Sequence, residues 1–385
     1  MKKRKLSKLK VIVITCILLI VMLSTGCFEE IQITLDKNDK EAEFLNDKPY
    51  ILPNWRDGDY HDYYATTQLL NDLNDKYPDL TNVFSIGKSV LNRDIWCIRI
   101  TNENNFDEKY SCLIDGCIHG NEWESGEACL YIAEFLLINF ELNKTIQNIL
   151  NTSEIYIVPL LNPDGRQSNS RWNENGIDLN RNYNVHFGRL RSNNYPLGKL
   201  FGRFKIPYIY RPLKKTYATN SGRYPFSEPE TRAIRNFMKS LHRYSFYMNC
   251  HTATHNFGAP GTISYKPEFI VTNHERNILN TAIDWVDGNT EYSGIFGEKF
   301  MYTGIGCAMD WVFFKYRIPS FTFELLSRDY EPWLDQGKHD NLVHWMKTGL
   351  PVFMYLLVNI KNLHDWDIPD IQPPLPEGVP PQPLR

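Results

Sequence analysis

The chain has 385 residues, of which 42% are hydrophobic, 14% aromatic and 23% charged. These fractions are close to those of soluble globular proteins, which excludes a multispanning membrane protein, a collagen-like fibre and a wholly disordered chain. The formal net charge is −3, and six basic residues lie within the first ten positions, so the rest of the chain is more acidic. That balance argues against nucleic acid as the main partner, because phosphate binding needs a basic face.

Residues 1–26 have the pattern of a secretory signal. Basic residues are followed by an almost wholly apolar run at 11–23 and then by small residues that lead to Cys27. The apolar run is short of the ~20 residues that span a bilayer. The ending Leu-Ser-Thr-Gly-Cys is similar to a lipoprotein signal, although Leu23 lies four residues before the cysteine rather than three. We predict a signal peptide at 1–26, a lipid anchor at Cys27 that attaches the protein to the membrane, and an extracytoplasmic location; a plainly secreted protein or an uncleaved anchor are the alternatives.

The elements that follow predict one α/β domain. A tether or lead-in at 27–58 precedes a helix at 60–77. Strand-like runs are expected at 83–86, 95–100, 111–115, 155–160, 245–250 and 320–325, and helices at 122–140, 228–241, 274–287 and 337–360. Strands that alternate with helices predict a single domain at 59–362, with a central mixed, mostly parallel sheet flanked by helices. Residues 363–385 form a Pro-rich tail, which we expect to be extended or disordered.

Six cysteines fall within this domain. An exported protein is permitted disulfides, and an even count is compatible with them. Most of the six lie inside apolar strand-like runs, where a small buried thiol is the simpler interpretation. Their positions are Cys97, Cys112, Cys117, Cys129, Cys250 and Cys307, and none has the C-x-x-C spacing of a cysteine zinc site.

Three residues are candidates for a metal site. His119 and Glu122 lie three apart where the strand at 111–115 gives way to a helix, but H-x-x-E alone is a weak signal because the spacing often arises by chance. His251 closes an apolar run at the end of a predicted strand, where open α/β sheets place their sites. Two histidines and one carboxylate, with a fourth position left to water, form the ligand set of many catalytic zinc sites.

Polar motifs follow other predicted strands in the same way. Asn162-Pro163-Asp164-Gly165 has the composition of a tight turn. The segment 178–182, Asp-Leu-Asn-Arg-Asn, concentrates an acid, two amides and a guanidinium in five residues. Glu324 stands alone in the apolar run 321–325, and burial of a carboxylate is costly without a partner. Glu324 is therefore either salt-bridged or functional.

Together these motifs resemble the zinc carboxypeptidases, the family of the pancreatic carboxypeptidases A and B. The resemblance covers about residues 60–360 and depends on H-G-N-E-W at 119–123, N-P-D-G at 162–165, D-L-N-R-N at 178–182, the strand-end His251, Y-T-G-I-G-C-A-M-D-W at 302–311 and F-T-F-E-L at 321–325. It implies a metallocarboxypeptidase with one Zn²⁺ per chain, acting on peptides or proteins with a free C-terminus.

The resemblance also implies individual roles. His119, Glu122 and His251 correspond to the zinc ligands, and Asp178 to the acid that orients the first histidine. Glu324 corresponds to the general base. Arg171, seven residues before Asp178, corresponds to the arginine that polarises the scissile carbonyl. Asn180 and Arg181 correspond to the clamp on the substrate carboxylate, Tyr302 to the tyrosine that closes over it, and Met309 to a residue of the side-chain pocket.

Several features depart from the family pattern. Neither Met309 nor the region near Thr262 supplies the acid with which enzymes specific for basic residues bind their substrates, so we expect a preference for neutral or apolar C-terminal residues. Asn121 replaces an arginine that lines a remote subsite in pancreatic members. The connection 184–227 holds nine basic residues and no acid; we interpret it as a rim or lid over the cleft, with a solvated loop as the alternative.

Three other functions stay open at this point. The protein could trim peptidoglycan stem peptides, act as a zinc deacylase of the aspartoacylase type, or be a catalytically inactive binding module. The tyrosine motif and F-T-F-E-L favour the peptidase over the deacylase. The presence of every expected ligand and of the base argues against the inactive module.

Overall fold

The computed structural model describes residues 50–185, 187, 220–252, 255–260, 271–296, 306–325 and 342–366. The predictions for residues 1–49, for Tyr302, for most of the connection 184–227 and for the Pro-rich segment from residue 367 onward lie outside the described residues. Among the residues described, no helix is both long and apolar enough to cross a membrane.

Eight strands form one mixed sheet. They are β1 (Thr81–Lys88), β2 (Asp94–Ile100), β3 (Tyr110–Asp115), β4 (Ser153–Val158), β5 (Tyr244–Thr252), β6 (Asn256–Ala259), β7 (Ser293–Phe296) and β8 (Ser320–Leu325). The spatial order is β1-β2-β4-β3-β5-β8-β6-β7. The central strands β4, β3, β5 and β8 are mutually parallel, whereas β1, β2 and β6 introduce antiparallel pairs. The predicted fold class is confirmed.

Helices cover both faces of this sheet. They are α1 (Tyr63–Lys76), α2 (Trp123–Asn139), α3 (Lys144–Thr152), α4 (Pro163–Gln167), α5 (Pro229–Met238), α6 (Asn273–Asn289), α7 (Ala308–Tyr316), α8 (Leu342–Val358) and α9 (Ile360–His364). The larger hydrophobic core joins α2, α6 and α8 to one face, and the smaller core joins α5 and α7 to the other. Because successive residues of a strand point to opposite faces, β5 sends Met248 into the larger core and Tyr247 into the smaller one.

The register of the parallel strands determines which polar side chains meet. Asp115 pairs with Asn249, and His251 pairs with Glu324. Residues that pair in register project to the same face of a sheet, and so do residues two apart along one strand. Asp115, Asn249, His251 and Glu324 therefore project from one face, at the ends of three adjacent strands.

The packed region extends beyond the predicted limits of 59–362. Tyr50 is only 8% exposed and its ring lies 5.2 Å from that of Phe135. Trp55 donates from Nε1 to Glu134 at 2.7 Å. At the other end the ring of Trp366 packs edge-on against Phe313. The lead-in and the start of the predicted tail thus contribute to the body, because their aromatic residues cover apolar surface of helices α2 and α7.

The sequence did not reveal strands β6 and β7 or helices α3 and α7. Strand β6 is only four residues long and carries Asn and Gly, so it has too little β-branched or alternating character to stand out. Helix α7 is almost entirely apolar and hence lacks the polar face of an amphipathic helix. The six cysteines of the domain are all buried free thiols, as the apolar runs around them indicated.

Candidate metal centre

His119, Glu122 and His251 converge at the carboxyl ends of β3 and β5. Nδ1 of His119 lies 2.7 Å from one carboxylate oxygen of Glu122, and Nδ1 of His251 lies 2.8 Å from the other. One ligand atom from each residue lies within 4.8 Å of the others, and all three residues are buried. The three residues that the sequence singled out therefore lie together, and their donor set matches that of a catalytic zinc site with an open position.

The carboxylate of Glu122 is held in its charged form. Burial opposes ionisation, but the two facing imidazoles outweigh it and keep the pKa of Glu122 well below its ordinary value. A cation bound between the same three groups would take the place of the imidazole protons, since metal ligands must be deprotonated.

Asp178 supports His119 from the opposite side. Its Oδ1 lies 3.1 Å from Nε2 of His119 and also accepts a hydrogen bond from the backbone N–H of Asn180. Burial would raise the pKa of Asp178, but the charges of Arg171 and His119 hold it well below its ordinary value. A charged acceptor at Nε2 keeps the ring proton there and leaves Nδ1 free to bind a metal.

Arg171 lies between Asp178 and Glu122. Its Nε and Nη2 donate to Oδ2 of Asp178 at 3.2 and 3.1 Å, and its Nη1 lies 3.3 Å from Oε1 of Glu122. The guanidinium is therefore fixed at the edge of the metal cluster, as the spacing to Asp178 suggested. A fixed positive charge at this position could stabilise an oxyanion that develops next to the metal.

His251 is supported by residues that the sequence analysis missed. Its Nε2 lies 2.5 Å from Oδ1 of Asn249. The amide of Asn249 donates in turn to Asp115, which also accepts from the hydroxyl of Tyr247 at 2.6 Å. The acceptor Asn249 Oδ1 lies closer to Nε2 than the amide nitrogen of Asn180 does, at 2.5 Å against 3.1 Å. The proton of the His251 ring therefore belongs on Nε2, and Nδ1 is again the metal-facing nitrogen. The sequence did contain a signal for these supporting residues, because Asp115 and Asn249 are polar residues in apolar runs, as Glu324 is.

Asn180 connects this cluster to helix α7. Its Oδ1 accepts from the backbone N–H of Ala308 at 2.9 Å, which orients the amide and places Nδ2 3.1 Å from Nε2 of His251. Arg181 is 7% exposed; its Nη1 donates to the carbonyl of Asn180 and contacts Sγ of Cys307 at 3.2 Å. Asn180 and Arg181 thus lie between the metal cluster and the start of α7.

The start of α7 carries Met309 and Asp310. Met309 is 8% exposed and belongs to neither hydrophobic core. Burial raises the pKa of Asp310 to about 7, although the charge of Arg181 opposes the rise. Gly306, at φ +66°, lets the loop before α7 approach the backbone of Arg181 closely, because a Cβ at this position would lie only 2.2 Å from the carbonyl oxygen of Arg181. This contact explains why the T-G-I-G-C motif contains a glycine at that position.

Glu324 projects from the same face of the sheet as His251, its partner in register. It is partly exposed, in contrast to its fully buried neighbours Phe323 and Leu325. The structure thus places a carboxylate on the strand adjacent to the metal cluster. Tyr302, the remaining predicted site residue, lies outside the described part of the chain.

Two other motifs serve the scaffold around the site. The N-P-D-G motif, expected as a tight turn, instead begins helix α4, with Asn162 as its N-cap. Asp164 accepts hydrogen bonds from Ser89, Leu91 and Arg93, and so fastens the β1–β2 turn to this helix. Asn182, the last residue of D-L-N-R-N, donates to the carbonyl of Ser221 at 2.7 Å and accepts from Thr231. Asn182 therefore joins the two ends of the basic connection.

The comparisons with known proteins agree with this geometry. The chain belongs to the zinc carboxypeptidase family of M14 peptidases, whose family model matches residues 66–336. It is 30% identical to carboxypeptidase D of Anas platyrhynchos over 217 residues, which are 52% of this chain and 15% of that protein. It is 24% identical to human carboxypeptidase A6 over 325 residues, which are 78% of this chain and 68% of the relative. The chain thus spans only a small part of the length of the first of these relatives.

The fold is that of a solved carboxypeptidase. The structure of carboxypeptidase A from Helicoverpa armigera superimposes with a TM-score of 0.58 at 21% identity, covering 87% of this chain and 81% of that one. The single eight-stranded mixed sheet with helices on both faces is therefore the architecture expected for the family.

Proposed function

We propose that the protein is a zinc-dependent exopeptidase that hydrolyses the C-terminal peptide bond of peptides or proteins. The observation that carries this proposal is the convergence of His119, Glu122 and His251, with the two Nδ1 atoms facing one carboxylate and an acceptor behind each ring. The match of the zinc carboxypeptidase family to most of the chain supports the same conclusion.

The three clustered residues would hold one Zn²⁺, since two imidazoles and a carboxylate match its preferred ligands. When bound, Zn²⁺ would lower the pKa of its water to about 7 and polarise the scissile carbonyl. Glu324 accepts a proton from the attacking water and later transfers it to the leaving amine. Arg171 lies 3.3 Å from Glu122 and stabilises the negative charge that develops on the carbonyl oxygen.

Arg181 and Asn180 provide selectivity for a chain end. A guanidinium binds a carboxylate through two parallel charge-assisted hydrogen bonds, which an internal peptide bond cannot supply. We propose that Tyr302 closes over the same carboxylate and that Met309 borders the pocket for the terminal side chain. The absence of an acid at Met309 supports a preference for neutral or apolar terminal residues.

We also propose that the protein acts outside the cytoplasm. Residues 1–26 support a cleaved signal, and Cys27 supports lipid attachment to the membrane. Metabolic labelling with a radioactive fatty acid tests the anchor: label should enter the protein and be lost in a Cys27→Ser variant. Label that persists in Cys27→Ser would contradict it.

The activity is tested by incubating the purified protein with peptides that end in each of the standard amino acids. We expect stepwise release of single C-terminal residues, loss of release on treatment with a chelator, and recovery on addition of Zn²⁺. The matched variant His251→Ala should be inactive under all three conditions. Cleavage only at internal bonds, only of D-amino-acid stem peptides, or only of N-acyl amino acids would replace this proposal with one of its alternatives.

A further inference from the structure

A cavity of about 530 Å³ lies between α5 and α7, and none of the candidate metal ligands lines it. Its lining includes the aromatic side chains Phe226, Trp311, Phe314 and Tyr316, and we call it the aromatic pocket. Phe226 and Trp311 are 7% and 6% exposed, and their rings meet edge-on with centroids 5.1 Å apart. Packed, aromatic-lined grooves of this kind are surfaces on which extended Pro-rich segments bind.

The rim of the aromatic pocket is positively charged. It carries Arg235, Lys239 and Lys315, and no acid occurs among the described residues that line the pocket. The guanidinium of Arg235 lies 4.9 Å from the centre of the Phe226 ring, and its Nε donates to Oδ1 of the neighbouring Asn236. Within the described residues, none of the three cations forms an ion pair with a carboxylate. The surface therefore suits an occupant that combines prolines or apolar groups with negative charge.

We propose that the aromatic pocket binds the Pro-rich segment 367–385 of the same chain. This segment holds seven prolines, three acids and a single basic residue. In the polyproline II conformation prolines have a preformed, low-entropy shape that fits aromatic surfaces. The three acids, Asp367, Asp370 and Glu377, complement the charge of the rim.

The segment also begins at the end of helix α7, which lines the pocket. Trp366, the last described residue, donates from Nε1 to the carbonyl of Arg317 at 3.1 Å, and Arg317 directly follows Tyr316 of the pocket lining. At about 3.1 Å per residue in polyproline II, the 19 residues after Trp366 can extend about 60 Å. The segment therefore has more than enough length to reach the pocket, and its attachment gives it an effective concentration on the order of millimolar.

The other segment that borders the pocket is a weaker candidate. The connection 184–227 contributes Val185 and Phe226 to the lining, but it contains nine basic residues and no acid. Its charge has the same sign as the rim, so electrostatic repulsion opposes its binding there.

A synthetic peptide of residues 367–385 tests this proposal against two forms of the protein. A chain that ends at Trp366 should bind the fluorescently labelled peptide saturably, and more weakly as salt is raised. The full chain should bind the added peptide at least tenfold more weakly, because its own segment occupies the pocket. Equal binding by both chains, or no binding by the shortened chain up to about 1 mM, would overturn the proposal.

Charge reversal at the rim tests whether the peptide binds in the aromatic pocket. The double substitution Lys239→Glu and Lys315→Glu should weaken peptide binding at least tenfold, and Lys144→Glu on the exposed first turn of α3 serves as the control. A peptide with alanine at positions 373, 374 and 376 should also bind at least tenfold more weakly. Binding that is unchanged by the rim substitutions would show that the peptide binds elsewhere.

A measurement on the intact chain covers the case in which the shortened chain fails to fold. In the full-length protein, the two rim substitutions should speed limited proteolysis within 367–385 at least threefold relative to Lys144→Glu. Equal rates of cleavage would overturn the proposal. The synthetic peptide carries a C-terminal amide, which removes the carboxylate that the proposed exopeptidase would recognise. The binding and proteolysis measurements therefore do not depend on the proposed function.

Discussion

The carboxylate of Asp178 lies 3.1 Å from Nε2 of His119, on the side of the ring opposite Glu122. This relationship fixes both the orientation of the ring and the nitrogen that carries its proton. Because Asp178 also binds Arg171, one buried acid connects a candidate metal ligand to the residue that we propose stabilises the developing oxyanion.

We predict that Asp178→Asn weakens zinc binding about 10- to 100-fold, since an amide is a poorer acceptor and can also present a donor to His119. Competition with a chromogenic chelator measures the affinity. The control is Asp164→Asn, which alters another buried carboxylate that pairs with an arginine but whose hydrogen bonds go to Ser89, Leu91 and Arg93 rather than to the cluster. Asp164→Asn should lower stability and leave zinc affinity unchanged. An unaltered affinity in Asp178→Asn would show that Asp178 does not orient His119.

We predict that Glu324→Gln retains one equivalent of zinc and loses turnover. Glutamine is nearly isosteric with glutamate, but it cannot accept the proton of the attacking water. Loss of a general base lowers kcat about 10²- to 10⁴-fold. Metal content and kcat measured on the same preparation separate this effect from loss of the metal. Near-normal kcat with zinc bound would assign the base to another residue.

We predict that amidation of the substrate C-terminus lowers kcat/KM about 10- to 100-fold or more. The reason is the loss of charge-assisted hydrogen bonds with Arg181, each of which contributes about 1.5–3 kcal/mol. The same peptide with an acetylated N-terminus is the control, and it should be cleaved as well as the free peptide. Equal cleavage of the acid and the amide would contradict the carboxylate clamp and favour an endopeptidase.

We predict that Glu230 makes the folded state less stable as the pH rises. Burial raises its pKa from 4.5 to about 7 and outweighs the hydrogen bonds that its carboxylate accepts from Val90, Asn173 and its own backbone. The folded state therefore binds the proton more tightly than the unfolded state. The contribution of this tighter proton binding to the free energy of unfolding is complete below about pH 4.5 and is lost as the pH rises through about 7.

Denaturant unfolding between pH 4 and 8 tests this sign. Relative to Glu230→Gln, the unchanged protein should lose stability over that range, by an amount on the order of 3 kcal/mol at most. Glu141→Gln, at an exposed position, should follow the unchanged protein. Parallel pH profiles for the unchanged protein and Glu230→Gln would refute the raised pKa.

The sequence predicted those parts of the candidate site whose residues can be recognised from the few residues around each of them. His119 and Glu122 follow one strand and His251 ends another, so the rule that parallel strands present their carboxyl ends at one edge was enough to bring them together. Glu324 was recognisable because burying a lone carboxylate within an apolar run is costly unless the carboxylate has a partner or a function.

The parts that sequence reasoning missed depend on register between strands. Asn249 reaches Asp115 only because the two residues pair across β3 and β5, and nothing within either strand encodes that alignment. Helix α7 escaped prediction because its residues 308–313 are all buried and mostly apolar, so the helix lacks an amphipathic pattern. Asn180 gained its contact with Ala308 only through the packing of that helix against the segment 178–182.

The side-chain preference offers the sharpest test of the pocket. Met309 is buried at the start of α7, close in sequence to Asp310, whose carboxyl group has a pKa raised to about 7 by burial. A terminal lysine or arginine side chain would have to be desolvated without a charged partner, which costs several kcal/mol. An apolar side chain instead gains about 25 cal/mol per Å² buried, and the flexible Met309 can adapt to more than one shape. We therefore predict that C-terminal Phe, Leu, Met and Tyr are released at least tenfold faster, in kcat/KM, than Lys and Arg.

The variant Met309→Asp should reduce or reverse this ratio of kcat/KM values, because it supplies a counter-charge in the first turn of a helix, where an acid is tolerated. Met309→Leu, which keeps the pocket apolar, should preserve the ratio. A preference of tenfold or more for Lys or Arg in the unchanged protein would show that an acid from elsewhere in the chain reaches the pocket, and would leave the proposed zinc chemistry intact.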